Sequence, residues 1–453
     1  MTVLALIGGQ WGEEGKGKFT ELLGESAKVV VRYSGGGNLR QPVMNEQGRF
    51  NLQFIPRSIF NSKVITVLGA GMVLDPKRLV EEMEALTGMG INLKRLFISE
   101  QAHLIMPYHP IFEEQERRVY GTPVIDTMGS GLGPAYADKV SRIGIRIGDL
   151  MQEEQFLSRL SKTLTVKNEI LTKVYKQEAL NLRDIYQQYL SYGRSLRERI
   201  FDTRLILQKA LDDGHRVLLE SDQGSMLDLD FGSYPYVSNA APTVGAACVG
   251  CGIPPMAIQG AMGVFGAYII RAQTGPFPTE MAKEDSAPLI HFRNMEGTVR
   301  NGRRPTNPIT GEKYRRFGWF DAVAARFVAQ LNGLTSIGLT YLDGLDHHKT
   351  VKICTAYQVH DSSITRFPSD MSTIKVASPI YEEMPGWETS TAHVKHFEDL
   401  PPACQNFVQR ISQLVGVRVD MVSTGPNRED TITLRDPFTL APGPRMHTTN
   451  YLS

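Results

Sequence analysis

Val3-Leu4-Ala5-Leu6-Ile7-Gly8-Gly9-Gln10-Trp11-Gly12-Glu13-Glu14-Gly15-Lys16-Gly17-Lys18 begins as an apolar run of strand length, crosses a glycine-rich turn and continues at 19–23 in a helical pattern. Strand, glycine turn and helix start, in that order, form an anion cradle in which backbone N–H groups and the helix dipole face a phosphate. The spacing departs from the common G-x-x-x-x-G-K-[ST] loop, because five residues separate Gly9 from Gly15 and Gly17 follows Lys16 where a hydroxyl would hold Mg²⁺. The plainer alternative is a solvated turn that happens to hold lysines; a strand before it and a helix after it favour the cradle.

Outward from this loop, β-branched runs at 28–33 and 63–68 alternate with a helical pattern at 76–86. That alternation predicts an α/β fold with a large central, mainly parallel sheet flanked by helices. From 152 to 213 the pattern turns charged and helical, which predicts a helical insertion. Strand patterns return at 216–220, 336–340 and 351–356, followed by an expected β-meander at 376–389, a helix at 401–415 and a strand at 418–422. With no repeat or clear linker, 1–453 reads as one elaborated domain.

The charge balance, 49 basic against 48 acidic residues, gives no global field for nucleic acid or an anionic membrane. Any anionic substrate must meet a local basic site. The first residues lack a positively charged n-region and their apolar run is short, so they read as a buried strand rather than a signal peptide. Cys248, Cys251, Cys354 and Cys404 make no disulfide framework, and together these features predict a cytoplasmic protein. The C-x-x-C of Cys248 and Cys251 lacks the second pair that structural zinc needs, and His347-His348 reads as a solvated loop.

The loop Gln10-Trp11-Gly12-Glu13-Glu14-Gly15-Lys16-Gly17-Lys18 resembles the Q-W-G-D-E-G-K-G-K signature of adenylosuccinate synthetases. The similarity continues in order through 30–38, 129–136, 144–150, Gln223-Gly224-Ser225-Met226-Leu227-Asp228-Leu229-Asp230, 275–280, Gly318-Trp319-Phe320-Asp321 and Ser423-Thr424-Gly425-Pro426. The resemblance implies a P-loop-like, GTPase-type fold and a GTP-dependent ligase of purine biosynthesis. In that family the γ-phosphoryl of GTP passes to the 6-oxygen of inosine monophosphate, and the amine of aspartate then displaces phosphate.

Carried over position by position, the resemblance places GTP against Gly12, Gly15, Lys16, Gly17, Lys18, Tyr341, Asp343, Ser423 and Gly425. It places the purine monophosphate against Asn38, Thr127, Arg142, Gln223 and Ser238, with Arg142 supplied across a homodimer interface. Thr310, Arg315 and Arg316 fall in the loop that grips the amino acid's carboxylates, and Glu13 and Arg40 at the positions that hold Mg²⁺. Glu13 stands at the position of the base and Gln41 at that of the acid, with Arg40 and Lys16 beside them as catalytic cations. Asp343 matches an aspartate that accepts from the two donors of guanine.

The departures fall on the chemistry. Glu13 lengthens the family's aspartate by a methylene, a reach of ~1 Å where such misplacement costs on the order of a hundredfold. Gln41 replaces a histidine and carries neither charge nor a transferable proton, although Arg40 brings a fixed cation next to it. Met128 and Ser130 replace a hydroxyl and an arginine of the monophosphate site, Glu312 replaces an arginine of the amino-acid loop, and Tyr341 replaces a lysine, offering an aromatic face to the base. Three readings therefore stand open: the family reaction itself, the same chemistry on another 6-oxopurine nucleotide or amine, and a noncatalytic nucleotide-binding paralogue.

Overall fold

The computed structural model describes residues 3–37, 41–45, 48–120, 129–272, 274–295 and 315–439. Asn38, Arg40, Thr127, Met128, Thr310 and Glu312 lie outside the described residues. The chain divides into two compact units, one from Thr20–Gln223 and Pro235–Ile258, the other from Thr2–Phe19, Gly224–Tyr234 and Gln259–Ser453.

The main strands in chain order are β1 (Val3–Gly8), β2 (Val29–Arg32), β3 (Ile65–Leu68), β4 (Leu96–Ser99), β5 (Ile200–Phe201), β6 (Val217–Gly224), β7 (Ile258–Gly266), β8 (Ser336–Thr340), β9 (Val419–Ser423) and β10 (Thr431–Thr433). In the first unit the order is β6-β2-β3-β4-β5, with every pairing parallel. In the second it is β1-β7-β8-β9-β10, with β7, β8 and β9 parallel and β10 antiparallel at the edge. The mainly parallel sheet expected from the sequence is thus present. Its strands are continuous apolar runs because both faces are covered: Val3, Leu4, Ala5, Leu6 and Ile7 are all fully buried.

In the first unit, helix α2 (Pro76–Gly88) starts where Asp75 accepts from the Arg78 N–H and Pro76 fixes the first turn. Helices α3 (Tyr108–Tyr120) and α4 (Leu132–Val140) follow. The segment expected to be helical supplies α5 (Glu153–Glu169), α6 (Leu182–Leu196) and α7 (Thr203–Asp212), and also β5, which extends the sheet beside β4. Phe156, Leu160 and Leu164 on α5 and Ile185, Leu190 and Leu196 on α6 share one core with Leu79 and Met83 of α2. Each such side chain contributes about 1.5–3 kcal/mol on burial.

The second unit adds a smaller sheet in which Arg316–Asp321 pairs antiparallel with Tyr268–Arg271 and parallel with Thr350–Val359. The expected meander at 376–389 is instead one strand, Ser378–Pro385, paired antiparallel with Thr350–Val359 and preceded by the short helix Met371–Val376. Asp370 starts that helix by accepting from Thr373 N–H, a local capping bond that overrides the β-propensity of Val376. Asp321 likewise caps helix α8 (Ala322–Asn332), which packs on helix α9 (Pro402–Val415).

Candidate active site

Gly8 ends β1 and Lys16 begins helix α1 (Lys16–Ser26), so residues 9–15 make the turn. Glu14 organises it from inside. Its buried carboxylate accepts from the N–H groups of Gln10 (2.8 Å) and Gly12 (2.9 Å) through one oxygen and from Lys16 Nζ (3.0 Å) through the other. The Gln10 side-chain amide accepts from Gly266 N–H at 3.0 Å and donates to Gly266 carbonyl at 3.3 Å, which ties the turn to the end of β7. Glu14 thus takes two of the loop's N–H donors, and helix α1 begins directly after the turn at Lys16. Gln10 and Glu14 belong to the loop signature, but their roles inside the turn, and that of Thr340, rest on contacts that the sequence does not show.

The end of β8 closes on the same turn. Thr340 Oγ1 donates to the Glu14 carbonyl at 2.7 Å, and Tyr341 Oη donates to the Glu13 carbonyl at 3.0 Å. Gly15 has φ of +72°, and a Cβ there would sit 2.8 Å from Tyr341 Oη, so both the backbone and the tyrosine demand glycine. Asp343 is buried in the short 3₁₀ turn Leu342–Leu345 that Tyr341 leads into.

Lys18 does not present a free ammonium to a phosphate. Its Nζ donates to Ser423 Oγ, the Gly425 carbonyl and the Asp430 carbonyl, each at 2.8 Å, which accounts for its three donors. Burial, opposed by the charges of Asp430 and Asp343, lowers its pKa to about 8. Lys18, Ser423 and Gly425, expected at the nucleotide, form a structural tie between α1 and the turn after β9. Here tertiary packing uses a lysine that the loop pattern alone assigns to phosphate.

Glu13, between Gly12 and Gly15, is partly exposed and pairs with Arg315, Nη2 to Oε2 at 3.2 Å. Arg316 faces elsewhere: Nε and Nη2 make a two-pronged pair with Glu280 at 2.8 and 2.7 Å, and Nη1 donates to the Gly275 carbonyl at 2.7 Å. Of the two arginines expected at the amino acid, Arg315 lies against the loop carboxylate and Arg316 is engaged by Glu280.

In the other unit, Gln223 is buried near the end of β6, and Ser238 Oγ accepts from Ala240 N–H at 3.2 Å. Gln41 opens a strand, Gln41–Asn45, opposite Leu52 of Gly48–Leu52. Ser130, where the family has an arginine, is buried with its hydroxyl turned to Leu132 N–H at 3.4 Å. Its turn is held by Glu113 of α3, whose buried carboxylate accepts from Gly129 N–H (2.9 Å) and Gly131 N–H (2.5 Å). His109, also on α3, reaches Asp138 on α4 at 3.0 Å, and Lys167 of α5 donates to the other Asp138 oxygen at 2.5 Å. The segment bearing Ser130 and Arg142 is therefore braced at both ends by groups with no sequence motif to announce them. Arg142 itself is exposed, with φ of +64°, an uncommon conformation for a side chain of that bulk.

Cys248 and Cys251 lie on one helix, Val244–Cys251, as free thiols, and among the described residues no group of three or more His, Cys, Asp or Glu side chains could hold a metal ion. His347 is exposed, but His348 is buried rather than solvated. Its Nε2 lies 3.1 Å from the Asp285 carbonyl and its ring packs edge-on against Trp319 at 5.5 Å, contacts made with residues distant in sequence. No described helix is long and apolar enough to cross a membrane.

The profile of the family described as adenylosuccinate synthetase matches residues 5–432. The adenylosuccinate synthetase of Listeria welshimeri is 41% identical over 441 residues, covering 97% of this chain and 100% of that protein. That of Limosilactobacillus fermentum is 40% identical over 438 residues, with 97% and 100% covered. The solved structure of fully ligated adenylosuccinate synthetase from Plasmodium falciparum aligns with a TM-score of 0.84 at 28% identity, covering 96% of this chain and 100% of that one. The succinoaminodeoxyadenylate synthetase of cyanophage S-2L, with a TM-score of 0.57 and 18% identity over 96% of this chain and 95% of its own, is similar in fold alone.

Proposed function

Because the chain belongs to the adenylosuccinate synthetase family, we propose that it uses GTP to join L-aspartate to C6 of inosine monophosphate, with Glu13 as the base. The carrying observation is the Glu13 carboxylate, held on the glycine loop and paired with Arg315 from the stretch ahead of Gly318-Trp319.

Glu13 takes the N1 proton of the nucleotide, and the electron pair that this leaves makes O6 nucleophilic. O6 then attacks the γ-phosphorus of GTP and GDP departs. The aspartate amine attacks C6, and O6 leaves with the phosphoryl group as inorganic phosphate. The helix start at Lys16 and Gly17 supplies N–H donors and positive charge to the nucleotide's phosphates. Arg40 brings a cation, and Gln41 a neutral hydrogen-bond donor, to the place where the family has its acid. Asp343 reads the guanine donors, and Arg315 offers its fork to an aspartate carboxylate. Asn38, Thr127, Gln223 and Ser238 receive the monophosphate.

Magnesium fits this donor set. A nucleotide-bound Mg²⁺ is held by one or two oxygen ligands of the protein together with phosphates, and the partly exposed carboxylate of Glu13 would serve as such a ligand; Arg40 would qualify only through its carbonyl. The ion would supply charge neutralisation to the transferring phosphoryl group.

A homodimer belongs to the same reading, with Arg142 completing the neighbour's monophosphate site. Its support is local: Val140 (80% exposed) and Ile143 (41% exposed) flank Arg142, apolar surface of the kind an isologous contact would cover. Light scattering with ligands present should give twice the chain mass; monomer alone at micromolar concentration would count against it.

Phosphate release and adenylosuccinate formation, measured together with GTP, Mg²⁺, inosine monophosphate and aspartate, test the activity. The two products should appear in equal amounts. Ser130, whose short hydroxyl is turned to its own helix, favours as a second reading a different 6-oxopurine nucleotide, so the assay runs across a panel of monophosphates and amines. GTP binding without turnover anywhere on that panel would overturn both readings.

A further inference from the structure

Tyr341 carries more contacts to the glycine loop than recognition of a nucleotide base requires. Its hydroxyl donates to the Glu13 carbonyl at 3.0 Å, while the preceding Thr340 donates to the Glu14 carbonyl at 2.7 Å. Consecutive residues at the end of β8 therefore hold consecutive peptides of the loop. The ring also packs closely: a Cβ on Gly15 would lie 2.8 Å from Oη and 3.1 Å from Cζ, and Tyr268 sits behind at 5.8 Å between ring centroids. To reach this place Tyr341 adopts φ of +62° and ψ of +27°, a left-handed conformation that a bulky residue holds only where its surroundings dictate it. The next residues form the turn Leu342–Leu345 that contains buried Asp343.

We propose that Tyr341 is a positioning residue: it ties the Glu13 peptide to the turn that carries Asp343, so that filling the guanine pocket fixes the Glu13 carboxylate in place. The proposal rests on the reading of Glu13 as base and Asp343 as the guanine reader. A lysine cannot provide this rigid, planar strut, and a carboxylate on the longer glutamate side chain has one more rotatable bond to restrain. Occupancy at the base end of GTP is thereby felt at the proton acceptor through one side chain and two short turns.

Tyr341→Phe keeps the ring against Gly15 and Tyr268 and removes the hydroxyl's bond to the Glu13 carbonyl. Its kcat at saturating substrates should fall about tenfold, since displacing a reacting group by an ångström costs up to a hundredfold. The Kd for GTP, from calorimetry, should stay within about threefold. The second readout compares GTP with inosine triphosphate, which lacks the 2-amino donor. In the wild type the change of nucleotide should lower kcat at saturation, and in Tyr341→Phe the two nucleotides should give the same kcat. An unchanged kcat in Tyr341→Phe would overturn the proposal, as would a loss confined to GTP affinity. Glu13→Gln serves as the separate control: if it still turns over at the wild-type rate, the base assignment itself fails, whereas an inactive Glu13→Gln beside an unimpaired Tyr341→Phe removes only the role given to the tyrosine.

Discussion

Arg315 Nη2 lies 3.2 Å from Glu13 Oε2, so the carboxylate assigned as base is engaged by the cation assigned to the amino acid. Both side chains keep some exposure, 34% and 17%, so the pair is worth little in stability and exchanges readily. An incoming carboxylate competes for the guanidinium and leaves Glu13 unpaired. Replacing Arg315 by Gln should raise KM for aspartate by roughly ten- to a hundredfold, the loss of about 1.5–3 kcal/mol of charge-assisted hydrogen bonding. Steady-state kinetics with aspartate varied would show it, and an unchanged KM would remove Arg315 from the amino-acid site.

Removing the charge of Glu13 itself gives a different signature. Glu13→Gln should cut kcat by ~10²–10⁴ while GTP still binds, because a general base acts on the proton transfer and not on the nucleotide. Restoring the family's acid by Gln41→His should raise turnover if the site is a weakened version of that family's. A fall in activity on another nucleotide would mark Gln41 as an adaptation.

Asp343 should make the site prefer GTP over ATP by at least about fivefold, because adenine N1 is an acceptor and would leave the buried carboxylate facing a lone pair. In Asp343→Asn the preference should collapse. Calorimetry with the two nucleotides decides this, and tighter ATP binding by the wild type would contradict it.

Glu113 should act on the monophosphate through the backbone. With Gln in its place, Gly129 or Gly131 N–H faces an amide donor, at a cost of about 1–3 kcal/mol in the order of that turn. The expected result is a several-fold higher KM for the monophosphate, with kcat within about twofold of wild type. Faster hydrogen exchange over 129–140 would accompany it.

Asp321 should set an acid-range dependence of stability. Burial pushes its carboxyl up to about 6, against the hydrogen bonds from Tyr357 and from the N–H groups of Ala324 and Val323. A carboxyl whose folded pKa is raised binds its proton more tightly in the folded state, so its contribution is full below about 4 and is lost as pH rises through about 6. Asp321→Asn keeps a helix cap and a polar partner for Tyr357 but does not titrate. It should therefore gain on the wild type between those limits by up to about 3 kcal/mol, readable as urea midpoints across the range. A constant difference would show that the side chain does not carry this proton linkage.

Much of this architecture is local and was legible in the sequence. The strand at 336–340, the β1-to-α1 turn and the helix at 76–86 follow from local residue patterns. What was not legible depends on partners far along the chain. Lys18 looks like a phosphate lysine until the turn 405 residues or more away takes all three of its donors. Arg316 looks like a substrate arginine until Glu280 takes its fork, and Glu113 belongs to no motif because it binds backbone N–H groups. His348 shows the same limit, since polar neighbours in sequence say nothing of the tryptophan it packs against.

The buried Glu14 carboxylate acts as a resident counter-ion, a stand-in anion that the chain brings to its own loop. A loop that waits for nucleotide to neutralise its N–H groups must be ordered at the moment of binding; this one is ordered when the protein folds. The entropy of arranging residues 10–16 is then charged to folding, and nucleotide affinity is relieved of it. Lesions at Glu14 would accordingly surface first as poor yield or a lowered melting point, in protein that has never met a nucleotide, and inherited variation there would be a matter of protein supply before it was one of catalysis.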